Sequence, residues 1–227
     1  MKKILLATVF LGLAACSPKP VAEKAEAPAA PAAAKPAPVR APAGAYTLDK
    51  THSTVVFRVS HLGFSKYTAA FAEFDAKLNF DPAKPELTTL EATIDPRSLT
   101  LPAPPAGFKD ELVGPQWLNA VQYSAITFKS TKVDVTGANT AKVTGDFTLH
   151  GVTKPVVLDV TFNGGYEGHP MDPNARIGFS ATGVFKRSDF GVAYGVPAPG
   201  TTMGVGDEVS VAIETEFSGP PLVQKPA

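Results

Sequence analysis

The residues able to do chemistry in this chain are few and scattered. Four histidines stand at positions 52, 61, 150 and 169, and no two have the helical or hairpin ligand spacing that identifies a zinc site. His150-Gly151 and Ser188-Asp189 place a base and a hydroxyl beside turn-forming partners, and turn formation accounts for both pairs. There is no G-x-S-x-G elbow and no P-loop, and the glycine-rich stretch from Gly195 to Gly206 lacks the strand-turn-helix setting of a dinucleotide fingerprint. Isolated donors remain: His52, His61 and Arg187, with Arg58 the weakest because it alternates with Phe57 and Val59 and faces away from them. The expectation is a binding protein with no catalytic set, no metal site and no cofactor.

The single cysteine, Cys16, closes a leader rather than a site. Met1-Lys2-Lys3 is a positive start, Ile4 to Leu13 an apolar stretch too short to span a bilayer, and Ala14-Ala15 the small residues of a processing site, so residues 1–15 read as a signal peptide. Leu13-Ala14-Ala15-Cys16 resembles the bacterial lipobox, which implies lipidation of Cys16 and a periplasmic protein anchored to a membrane. Ser17 stands where an Asp would favour inner-membrane retention, so the outer membrane is the expected address. Residues 16–44 form the lipidated N-terminus and an Ala/Pro-rich linker without aromatic residues, a composition that cannot bury enough apolar surface to fold. With its only cysteine in the leader, the domain contains neither a disulfide nor a thiolate cluster, so packing must hold it together.

Residues 45–218 carry the elements that would position a site, with 219–227 as a tail. Phe74-Asp75-Ala76-Lys77-Leu78-Asn79-Phe80 and Val156-Val157-Leu158-Asp159-Val160 alternate with period two, the mark of half-buried strands. Similar runs at 55–59, 87–94, 126–135, 143–149, 177–185 and 209–217 bring the count to eight strands. In Ile126 to Val133 the apolar positions change parity, which predicts a bulge. Turn chemistry falls at Asp81-Pro82, Gly137-Ala138-Asn139, Gly151, Gly164-Gly165 and the Pro197 to Gly200 loop. The proline-rich segment from Leu101 to Tyr123 predicts a loop with a short helical piece around Phe108 to Val113, placed to cap one end. An all-β fold follows, and periodicity alone allows either a barrel or a sandwich. The 21 basic and 21 acidic residues cancel, so no broad field favours nucleic acid.

Four ordered motifs decide between these folds. Tyr46-x-x-Asp49-x-x-His52-Ser53-x-Val55-x-Phe57-x-Val59-x-His61-Leu62-Gly63-Phe64-Ser65 resembles the opening signature of the YceI family of lipocalin-like periplasmic proteins. Gly145-Asp146-Phe147-Thr148-Leu149-His150-Gly151-Val152 resembles its middle signature, and Lys186-Arg187-Ser188-Asp189-Phe190-Gly191 and Val205-Gly206-Asp207-Glu208-Val209 its late ones. The chain departs from the pattern at Tyr67 to Phe71, where a Gly usually precedes the Phe, and at Gln116-Trp117-Leu118-Asn119, where an acidic, double-aromatic stretch is usual.

The resemblance implies an eight-stranded antiparallel lipocalin-like β-barrel holding a polyisoprenoid, such as a polyprenyl phosphate or quinone, or a similar long-chain amphiphile. On that reading Val55, Phe57, Val59, Phe74, Leu78, Phe128, Phe147 and Phe179 line the interior, and His52, His61 and Arg187 are candidates for the ligand's head. Alternation by itself is equally compatible with a packed core, a non-binding scaffold, and an enzyme acting on such a lipid would need a titratable cluster inside. A homodimer is allowed by the residue pattern without being required by it.

Overall fold

The computed structural model describes residues 40–222; the leader, Cys16 and the linker up to residue 39 lie outside the described residues. Ten strands follow one another: β1 Gly44–His61, β2 Ser65–Phe71, β3 Phe74–Phe80, β4 Thr89–Ile94, β5 Leu99–Thr100, β6 Ile126–Val135, β7 Thr140–Leu149, β8 Val152–Tyr166, β9 Asn174–Lys186 and β10 Val205–Pro221. Every pairing is antiparallel, and the contact of β10 with β1 closes the circuit β1-β3-β4-β6-β7-β8-β9-β10. The barrel therefore has the eight strands that the alternation requires.

The two extra strands are continuations. Gly44–Thr47 of β1 pair with β3, whereas Val55–His61 pair with β2, so β2 and β3 lie end to end along one long partner. β5 extends β4 in the same way, pairing Leu99 with Phe71. Across the two breaks, Asp95 N–H donates to Glu73 O (2.9 Å) and Ala72 N–H to Ser98 O (3.1 Å). Sequence patterning passes over β2 because two of its three inward positions are weak signals: Tyr67 is amphipathic and Ala69 small, which leaves Phe71 as the one strong apolar mark.

The parity slip in β6 is a bulge. Register against β7 shifts between Ser130 and Lys132, so Ile126, Phe128 and Ser130 face in before it, and Val133 and Val135 after it. Gly164-Gly165, in contrast, is no turn. Both lie within β8, at a register shift after Phe162, and Gly165 is glycine because a Cβ would sit 2.6 Å from the Arg176 carbonyl. The chain reverses instead at 167–173, where His169 and Asp172 exchange backbone hydrogen bonds. β10 also runs past residue 218 to Pro221, which opposes Asn174; the Tyr46 ring occupies the space where a Cβ on Gly219 would lie.

The short helix α1, Phe108–Val113, lies where the sequence places it. Leu118 N–H donates to Leu112 O (3.0 Å) and Ala120 N–H to Val113 O (2.9 Å), folding the Trp117 segment back under the helix as a cap. Two apolar clusters line the barrel toward its two ends. Phe71, Leu99, Leu149 and Phe190 pack toward the cap, and Tyr46, Phe80, Ile177 and Phe217 toward the opposite end. There Phe80 stacks on Phe162 (5.6 Å between ring centres) and meets the edge of Phe179 (5.8 Å).

Candidate functional site: a through-barrel apolar cavity

The inward faces of the strands leave a space between the two clusters. Its volume is about 710 Å³, and its wall is almost wholly apolar, within the size range of ligand pockets rather than of packing defects. It reaches exposed residues at both ends: His61 and Pro105 on the capped side, Val135, Gly137 and Ala138 on the other. On the second side the barrel is slit. β4 and β6 pair only from Glu91/Lys129 to Ile94/Ile126; beyond that, one bond from Leu90 N–H to Ser130 Oγ (2.8 Å) ties them, and the turn Pro85–Leu87 lies beside β6.

Val55, Phe57, Val59, Phe74, Leu78, Phe128, Phe147 and Phe179 all lie on this wall, as do His61 and Arg187. Sequence reasoning missed Trp117, Leu118 and Leu112 of the cap, and Phe71 of β2. Their signal is absent from any strand pattern, since Trp117 lies in a proline-flanked loop. Arg58 faces an outer groove with Ser60 and Lys66.

His52 does not belong to the cavity. The four residues Lys50 to Ser53 bulge out between the pairs Asp49/Glu216 and Thr54/Glu214 of β1 and β10, and this bulge turns His52 to the outer surface. Asp49 organises the bulge: it accepts from Thr51 N–H (3.0 Å), from Thr51 Oγ1 (2.6 Å), and from Arg176 Nη1 (2.5 Å), with His52 Nδ1 at 3.1 Å. Ser53 Oγ donates to Asp49 O (2.7 Å) and accepts from Glu216 N–H (3.1 Å). The Asp-x-x-His-Ser spacing is thereby a structural device. Thr51 first, then His52 and Arg176, hold the Asp49 carboxyl well below the usual carboxylate range. A depressed carboxylate contributes stability that is present above the unfolded-chain value of about 3.9 and is lost as pH falls through its folded value. Asp49→Asn is expected to lower the urea midpoint at pH 7 and to flatten its decline below pH 4; a decline as steep as in the parent would refute this role.

Among the described residues, Arg187 is the one charged side chain in the apolar wall that is almost fully buried, at 4% exposure. Its Nε donates to Gly206 O (2.9 Å), Nη1 to Val192 O (2.7 Å) and Tyr194 O (2.8 Å), and Nη2 to Val205 O (2.7 Å). The guanidinium lies 5.2 Å from the centre of the Trp117 ring. Burial lowers its pKa, opposed by the charge of Asp207, but Asp207 spends its oxygens on Ser188 N–H (2.9 Å) and Ser188 Oγ (2.8 Å). Ser188 is thus tied to Asp207 and not to a histidine. His150 and Gly151 both take positive φ as the two-residue turn between β7 and β8, the φ signs of a type I′ hairpin.

The YceI-like domain model matches residues 46–217. A UPF0312 protein of Pseudomonas putida strain W619 is 38% identical over 165 residues, covering 72% of this chain and 82% of its own length. Among solved structures, the Campylobacter jejuni YCEI protein superposes with a TM-score of 0.61 at 32% identity, over 77% of this chain and 98% of that one. Burkholderia cenocepacia BcnA gives 0.62 at 28% identity, over 74% and 98%. A polyisoprenoid binding domain from Saccharophagus degradans gives 0.58 at 14% identity, over 77% and 98%, a likeness of fold.

Proposed function

The chain belongs to the YceI-like domain family, and from that premise we propose that it is a carrier that holds one long apolar chain of a polyisoprenoid, a polyprenyl phosphate or quinone, or of a similar amphiphile. The observation that carries this reading is the continuous apolar cavity, open at both ends. A methylene is close in size to a water molecule, whose share of liquid volume is about 30 Å³, so the space suits on the order of two dozen chain atoms. Each buried methylene is worth about 0.8 kcal/mol, enough for micromolar or tighter binding after ordering costs. A longer isoprenoid would leave its remaining units at the slit between β4 and β6. The fold shared with a polyisoprenoid binding domain agrees with this ligand class.

A carrier is favoured over an enzyme by what faces the cavity. Its titratable side chains among the described residues, His61, Tyr67, Asp75 and Arg187, are joined by no hydrogen bond to one another, so no nucleophile-base pair stands ready. In the cell the barrel would work in the periplasm, tethered through a lipidated Cys16, with the outer membrane the favoured address and a homodimer compatible with the fold. Organic extraction of the full-length protein purified from its native membrane, followed by mass spectrometry, is expected to recover a long-chain isoprenoid or amphiphile in near-stoichiometric amount. A lipid-free protein that also retains no added polyprenyl lipid would overturn the reading.

A further inference from the structure

Two N–H groups at the capped end of the cavity have nothing to bind. Trp117 Nε1 is buried and has no hydrogen-bond partner among the described residues. Arg187 offers five N–H groups, of which four go to the carbonyls of Gly206, Val192, Tyr194 and Val205, leaving one on Nη2 without an acceptor among the described residues. The two side chains lie against each other and both line the cavity. The guanidinium is hydrogen-bonded only to neutral carbonyls, while the nearby Asp207 carboxylate is taken up by Ser188. Buried donors are nearly always satisfied, and a buried cation is normally met by an anion. At the other end of the cavity the polar groups are neutral: Ser130 and Asn139 make hydrogen bonds within the protein, and the Thr88 hydroxyl, also buried without a partner among the described residues, carries no charge. The tunnel is therefore electrostatically polarised.

Resting on the carrier reading above, we propose that the bound amphiphile has an anionic, acceptor-only head, a phosphate or a carboxylate, and that this head sits at the capped end against Trp117 Nε1 and Arg187, with the tail directed toward the slit between β4 and β6. An oxyanion accepts from both free donors and supplies the missing negative charge, whereas a cationic head would face Arg187 with like charge. The Trp117 N–H is the discriminating element, because Arg187 already has a structural task in the loop it staples.

Trp117 is also the only tryptophan of the chain, so its emission reads this end of the cavity alone. Delipidated full-length protein should be titrated by calorimetry with hexadecyl phosphate, hexadecanoate and hexadecyltrimethylammonium, which share one chain length. The phosphate and the carboxylate are expected to bind at least about tenfold tighter than the ammonium and to shift the Trp117 emission; whichever binds tighter identifies the head. Trp117→Phe, which keeps an aromatic ring under Arg187, should erase about tenfold of that preference for the anionic heads over the ammonium. Equal affinity for all three heads, or an intact preference in Trp117→Phe, or anion binding with unshifted wild-type emission, overturns the assignment while the carrier reading survives. Retention of none of the three defeats both.

Discussion

Arg187→Met is expected to cost about 3–5 kcal/mol of folding stability, among the largest losses any single side chain here should show. Methionine keeps the unbranched apolar stem but ends near the place of Nε, so the experiment removes the donors, the charge and the guanidinium's contact with Trp117 together. What is lost are the four bonds to Val192, Tyr194, Val205 and Gly206 that pin the connection between β9 and β10 to the barrel. Relief of the guanidinium's own desolvation works the other way, and in ion pairs replaced on both sides it can cancel the loss. Here the partners are main-chain carbonyls, which no substitution removes, and each that stays buried without a donor costs about 1–3 kcal/mol. Arg187→Lys should recover only a part, because an ammonium cannot span four acceptors held around a planar fork. Urea unfolding read by circular dichroism gives the test: a midpoint shift equivalent to less than about 1 kcal/mol, with unchanged slope, would show that the carbonyls find other donors.

This role explains why Arg187 was visible in the sequence and its task was not. Its neighbours Ser188 and Asp189 mark a conspicuous polar motif, but the acceptors come from Val192 to Gly206, a stretch whose residue types say nothing about carbonyl direction. Strand count and the β6 bulge were legible because both are consequences of period two, and parity survives whatever the strand packs against. The eight inward residues followed from the same parity, all of them on the cavity wall. His52 was misjudged because Asp49, Ser53 and Arg176 build a bulge across β1, β9 and β10, and such a contact has no local signature. Gly164-Gly165 failed for the reverse reason: glycine demanded by a neighbour's carbonyl looks the same in sequence as glycine demanded by a turn. That the interior is hollow also lay beyond alternation, since a packed core and a tunnel wall share one pattern.

Parity also supplies the sharpest test of the cavity. Ala181 stands midway along β9, opposite Val160 of β8 and Ile213 of β10, and all three line the space; Thr182, one residue on, is exposed. Ala181→Trp would drive an indole into the middle of the tunnel and divide it. If the tail loses room for four or five methylenes at about 0.8 kcal/mol each, affinity for hexadecyl phosphate should fall by a factor of roughly one hundred or more. Folding should not suffer, because the new ring fills void rather than displacing packed neighbours, and filling a cavity tends to stabilise. Thr182→Trp places the same ring on the outer face and is expected to leave both binding and unfolding where they were. A side chain's position relative to the pleat, one residue apart, thus decides between loss and no loss. Were Ala181→Trp to retain its lipid undiminished while the circular dichroism spectrum and urea midpoint stayed native, the chain would have to bind somewhere other than the lumen, and the cavity would be a void without a tenant.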